Sequence, residues 1–148
     1  MPMTSGMYSS LDDTWTTPRD YFDSLTEFDF GLDAAALQNS TLVSDNWYGP
    51  DHSDKSRRDA FKRDWHKDTN KDIWLNPPYG RTIKAWMAKA ELESRGGVRV
   101  VSLVPARTDT AWWHDYCIHQ EVRFIRGRLK FGKSKNSAPF PSALVIFR

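Results

Sequence analysis

The chain has 148 residues, 39% of them hydrophobic and 14% aromatic, which suits one packed domain and excludes wholesale disorder. A net charge of +2 excludes a polycation, so any nucleic-acid binding must come from a local basic face. The lone Cys117 excludes an internal disulfide framework and a multi-cysteine zinc site.

Residues 1–13 are small and polar, and read as a mobile tail ahead of a domain over 14–148. They lack the basic and apolar regions of a signal peptide, and no apolar run in the chain is long enough to span a bilayer, so a cytoplasmic protein is expected. Thr17 is a good N-cap and Pro18 suits a first helical position, which predicts a short helix from Arg19. Phe28 to Asp33 alternates apolar and polar residues and predicts a strand ending at Asp33; a further short strand is expected around Thr41 to Ser44. The polar stretch from Asp45 to Asp72 carries a mixed-charge run that holds at most one helix. Asp72 to Asn76 reads as a buried strand stopped by Pro77 and Pro78.

From Arg81 to Ser94 the apolar spacing Ile83, Trp86, Met87, Ala90 has helical period, and Gly96-Gly97 ends it. Val98 to Val104 is the clearest strand, again followed by a proline. Asp109 to His119 reads as helical, Glu121 to Arg126 alternates like a strand, and Ser142 to Phe147 makes a final one. This alternation predicts an α/β sheet with ligands at the carboxyl ends of its strands. Seven tryptophans are many for this length; core packing accounts for most, and some are expected to face a ligand.

Three loops that follow predicted strands carry unusual residues: Asp33-Ala34-Ala35, Asn76-Pro77-Pro78-Tyr79-Gly80, and Pro105 to Thr110. Two consecutive prolines remove two backbone donors, and leave the Asn76 and Pro77 carbonyls as acceptors. With the Asn76 side-chain oxygen they can hold both protons of an amine. Tyr79 offers a face on which a planar base can stack, worth roughly 1–3 kcal/mol. The segment from Arg123 to Lys135 interleaves basic residues with Phe124 and Phe131, a pattern suited to tracking phosphates or to a solvated hairpin. His114 and His119 lie off a shared helical face, so no metal is expected. No phosphate-binding glycine loop and no nucleophile elbow occurs.

Beyond these readings, the chain from Trp15 onward resembles the phage-type DNA adenine-N6-methyltransferase (Dam-like) family. The matching pieces are Trp15-Thr-Thr-Pro18 with Tyr21-Phe22, Leu32 to Ala36, Asn76 to Gly80 with Trp86 and Lys89-Ala90, Pro105 to Thr110 with Trp113-His114, Arg126 to Phe131, and Ala138 to Ser142. Six pieces in one order are specific where each alone is weak. The resemblance implies a Rossmann-like methyltransferase fold, with a mixed, mostly parallel sheet flanked by helices. It implies S-adenosylmethionine as donor and double-stranded DNA as partner, with an adenine flipped onto Tyr79 and its N6 held by Asn76 and the Pro77 carbonyl.

The same resemblance assigns Asn76, Pro77, Pro78 and Tyr79 to catalysis. To the cofactor it assigns Trp15, Thr16, Thr17, Pro18, Asp33, Ala34, Ala35 and Asn76, with Asp33 facing the ammonium. Asp51 is favoured over Asp45 and Asp54 for the ribose. Arg107, Arg126, Arg128, Lys130, Phe131, Lys133 and Lys135 are assigned to DNA. Ala34 to Ala36 depart from the glycine-rich turn of broader methyltransferases, and each Cβ crowds the backbone there. Rival readings are a methyltransferase acting on RNA or on protein glutamine, and a DNA-binding module of the same fold without cofactor.

Overall fold

The computed structural model describes residues 16–132 and 136–148. The tail expected over 1–13, together with Trp15, Lys133 and Lys135, lies outside the described residues. One five-stranded sheet organises the chain: β1 (Phe30–Asp33), β2 (Asp72–Leu75), β3 (Val100–Pro105), β4 (Glu121–Phe124) and β5 (Ser142–Phe147), in the order β1-β2-β3-β5-β4. β1, β2 and β3 run parallel, and the β4–β5 pair runs antiparallel along one side. The carboxyl ends of β1, β2 and β3 therefore meet at one sheet edge, which brings the three unusual loops together.

Each face of the sheet is covered. On one side α3 (Ile83–Ser94) lays Ile83, Trp86, Met87 and Ala90 against Leu32, Ile73, Leu75, Val100 and Val145. On the other, α1 (Arg19–Ser24) brings Tyr21 and Phe22 to Trp74, beside Phe131, Ala138 and Phe140. Tyr79 packs against both layers. The six described tryptophans are all buried, so packing rather than a ligand claims them.

Several expectations needed correction. No strand forms at 41–44, because the Asp33 carboxylate takes the Leu42 N–H at 3.0 Å and draws that segment into a bend. Among the described residues, the outer side of β1 gains only a single bridge, Asp33 to Trp47. The mixed-charge run makes two 3₁₀ turns, Lys55–Arg57 and Ala60–Lys62, then the one-turn α2 (Trp65–Asp68). Asp54 and Asp59 each cap a turn by accepting the N–H two residues on, so the chain restarts rather than extending one helix. The helix expected over Asp109 to His119 is mainly a π-helical turn, Trp113–Cys117.

β3 runs through Pro105 instead of stopping before it. Its pairing with β2 ends at Ser102, opposite Leu75, so Pro105 forfeits no ladder bond on that side and pairs with Ser142 on the other. Away from the convergent edge, Arg99 clamps Asp72 with two bonds of 2.8 Å, and Asp72 also accepts the Asp29 N–H at 2.9 Å. This ties the amino ends of β2 and β3 to the entry of β1.

Candidate active site

Pro77 and Pro78 turn the chain out of β2 one residue after Asn76, and Gly80 then adopts φ +126°, a conformation suited to glycine, before α3 begins. Because β2 peels away there, the Leu103 carbonyl lies one residue beyond the last β2–β3 pair. The Tyr79 hydroxyl reaches it at 3.2 Å and reaches Asn76 Oδ1 at 2.9 Å. One proton serves these two acceptors. Burial pushes the Tyr79 phenol well above its ordinary range, so it remains a donor.

Asn76 is buried, and its Nδ2 donates to Thr17 Oγ1 at 3.0 Å. The cap of α1 is Pro18 with no side-chain cap bond, so the predicted N-cap role of Thr17 gives way to this long-range contact. Thr16 follows the same path, its carbonyl accepting the Gly132 N–H at 2.8 Å. The Thr16–Pro18 segment thus bridges the Asn76 corner and the loop carrying Phe131. Around Tyr79 stand Phe140, at 5.5 Å between centroids and 79°, and Phe131, at 6.2 Å and 88°. Both are edge contacts that hold the ring upright. The Arg107 guanidinium, itself exposed, lies 5.7 Å over Phe140.

Asp33 ends β1 fully enclosed, with Oδ2 accepting Leu42 N and Oδ1 accepting Ala35 N at 3.4 Å. Desolvation pushes its carboxyl up to about 7, against the lowering pull of those donors. Ala34 to Ala36 are buried and continue the sheet, Ala34 N donating to the Trp74 carbonyl and Ala36 N to that of Tyr48. The tight approach expected of a glycine turn falls instead at Gly49, where a Cβ would sit 1.8 Å from the Ala36 carbonyl oxygen. Asp51 is exposed beside this turn and accepts the Gln38 N–H through both oxygens, at 3.1 and 3.2 Å; Asp54 caps Ser56, and Asp45 borders a groove with Phe22 and Phe30.

The structure therefore brings Thr16, Thr17, Pro18, Asn76 to Tyr79, Phe131 and Arg107 into one neighbourhood, with Asp33 to Ala35 on the adjoining strand end. Arg126 and Lys130 are exposed on the approach to Phe131, and Arg128 donates to the Ala138 carbonyl at 3.3 Å. Arg123, part of the same basic tract, is bound to Glu27 and Glu121. Sequence reasoning missed Phe140 and the Leu103 carbonyl as members of the site. Pro139 and Pro141 around Phe140 were the available signal; nothing in the sequence marks the Leu103 carbonyl. Among the described residues, no three His, Cys, Asp or Glu side chains form a metal-ligand group, and no helix is long and apolar enough to cross a membrane.

No solved structure matches the chain. A relative in Escherichia phage T1, described as DNA N-6-adenine-methyltransferase, is 35% identical over 107 residues. That alignment covers 70% of this chain but 40% of the relative, so the chain spans well under half of that protein's length. Residues 4–148 match the family described as DNA N-6-adenine-methyltransferase (Dam). With that match over almost its whole length, the chain belongs to the Dam family of DNA N-6-adenine-methyltransferases.

Proposed function

We propose that this chain transfers a methyl group from S-adenosylmethionine to N6 of an adenine flipped out of double-stranded DNA, on a Rossmann-like methyltransferase fold. The observation that carries the proposal is the chain of hydrogen bonds Thr17–Asn76–Tyr79–Leu103 at the carboxyl edge of three parallel strands. Family membership makes DNA adenine the first substrate to test.

Within this reading the residues divide the work. Thr17 fixes the Asn76 amide by accepting from Nδ2, which leaves Oδ1 turned toward the corner. An incoming N6 amine donates to Asn76 Oδ1 and to the Pro77 carbonyl, while the Tyr79 hydroxyl keeps its proton and directs its hydrogen bond wholly to the Leu103 carbonyl, already within reach. Holding both amine protons this way draws the nitrogen lone pair out of conjugation with the ring. Tyr79 stacks the base, with Phe131 and Phe140 walling it from water. Exposed Arg107, Arg126 and Lys130 face the phosphates, with Lys133 and Lys135 of the same basic tract assigned to that role.

The residues present fit the cofactor. Asp33 is a buried carboxyl with lone-pair capacity beyond its Leu42 and Ala35 N–H donors and the Thr41 hydroxyl, suited to an ammonium, and Ala34 and Ala35 follow it as small side chains packed in the core. Thr16, Thr17 and Pro18 line the methionine side, with Trp15 of the same segment assigned to that role, and Asp51 takes the ribose by exchanging its bond to Gln38. S-adenosylmethionine supplies an electrophilic methyl when bound. The chain's own contribution is proximity and amine polarisation, with no covalent intermediate on the protein.

The test is transfer of tritium from labelled cofactor to DNA, RNA and a glutamine peptide in parallel, followed by nucleoside analysis. N6-methyladenine from DNA, lost in Asn76→Ala and Tyr79→Ala, is the expected result. Label in RNA or peptide alone moves the substrate; absence of any calorimetric heat with the cofactor identifies a DNA-binding module instead.

A further inference from the structure

β4 is the last strand of the sheet, paired on one side to β5 and on the other to no described strand. Ile125 N donates to the Ser142 carbonyl. By the alternation of an antiparallel ladder, Arg123 and Glu121 also direct their backbone groups toward β5, so Val122 and Phe124 direct theirs outward. Phe124 is 70% exposed and Ile118, in the adjoining turn, is 48% exposed. The Phe124 ring lies stacked on Trp113 at 6.4 Å. An open strand edge and two large exposed apolar side chains thus coincide.

We propose that β4 pairs with β4 of a second copy of this chain, antiparallel about a two-fold axis through Val122. Two registers bring outward backbone groups of this short strand face to face, one within Glu121–Phe124 and the other reaching the Gln120 carbonyl, since the Gln120 N–H already donates to Cys117. Centring on Arg123 sets Arg123 against Arg123 of the second copy, a like-charge pair at close range. Centring on Val122 sets Glu121 against Arg123 of the second copy, twice, in the non-hydrogen-bonded position where side chains approach closest. Charge selects the second register. It gives Val122 two bonds to Val122 of the second copy, sets Phe124 opposite Gln120 of the second copy, and covers part of the Ile118–Phe124 surface. Both Glu121 and Arg123 are already held in place, by Arg148 and Glu27 respectively, so little side-chain freedom is lost on pairing.

The experiment is light scattering coupled to size exclusion over a hundredfold concentration range, with amide exchange read at the ends of that range. A mass rising toward twice 17.1 kDa is expected, with Val122 and Phe124 amides slowed at least tenfold on dimerisation and the Arg123 amide protected throughout. Val122→Pro removes an outward donor, which an edge strand tolerates, together with part of the Val122 packing on the core, and is expected to hold the chain monomeric at every concentration. Phe124→Lys serves the same purpose should Val122→Pro misfold. A wild-type mass that stays at one chain overturns the proposal, and so does a dimer that both folded variants retain.

Discussion

Thr17 and Asn76, 59 residues apart, are joined by a 3.0 Å hydrogen bond that sets which way the Asn76 amide points. Without the Thr17 hydroxyl the amide can rotate, exchanging its oxygen and nitrogen positions in the corner. Thr17→Val keeps the β-branched shape and deletes the acceptor. One such bond is worth roughly 1 kcal/mol, a factor of about five. The expected outcome is a fall in kcat of at least that size with KM for DNA little changed, and recovery in Thr17→Ser. Equal activity in Thr17→Val would remove the positioning role.

Tyr79→Phe separates the ring from its hydroxyl. The ring keeps its edge contacts with Phe131 and Phe140, while Asn76 Oδ1 and the Leu103 carbonyl lose a donor. A stability loss of roughly 1 kcal/mol is expected in urea melts, with reduced methyl transfer and near-normal DNA affinity. Tyr79→Ala is expected to weaken DNA binding as well. Since burial holds the phenol protonated well above pH 10, wild-type rates carry no step from Tyr79 between pH 7 and 9.

The framework of this site was legible because its signals are local. A continuous apolar run stopped by Pro77 and Pro78 located β2, the apolar run Ser142 to Phe147 located β5, and the period of Ile83, Trp86, Met87 and Ala90 located α3. What sequence hid was long-range. Thr17 carries every local mark of an N-cap, yet its hydroxyl is taken by a side chain from another strand end. The segment at 41–44 has strand-like composition, but a buried carboxylate nine residues earlier claims its N–H. Tertiary partners of polar groups leave no period to read.

Gly49→Ala tests whether close approach beside the Ala34–Ala36 turn matters. The added Cβ would stand 1.8 Å from the Ala36 carbonyl oxygen and 2.9 Å from the Trp47 ring, so backbone must move. The expected cost is roughly 1–3 kcal/mol in a denaturant melt, accompanied by a larger proportional loss of cofactor affinity than of DNA affinity. Unchanged stability would mean that the 47–49 segment shifts freely, against its bonds from Tyr48 N to the Asp33 carbonyl and from Gly49 N to the Arg57 carbonyl.

Asp33 gives the chain a pH dependence of definite sign. Burial raises its carboxyl from 3.8 to about 7 in the folded chain, while the unfolded chain ionises near the ordinary value. Between these limits the folded state holds a proton that the unfolded state has released, so stability falls as pH rises from about 4 to 7 and levels off above. Asp33→Asn removes that slope: urea midpoints of wild type are expected to drop from pH 5 to pH 7.5 relative to the variant, which stays level by comparison. A cationic ammonium beside Asp33 favours the charged form and expels the proton, so cofactor affinity is expected to rise over pH 6 to 8 in wild type and to lose that rise in the variant. Parallel pH profiles for the two proteins in a calorimeter would detach Asp33 from the ammonium.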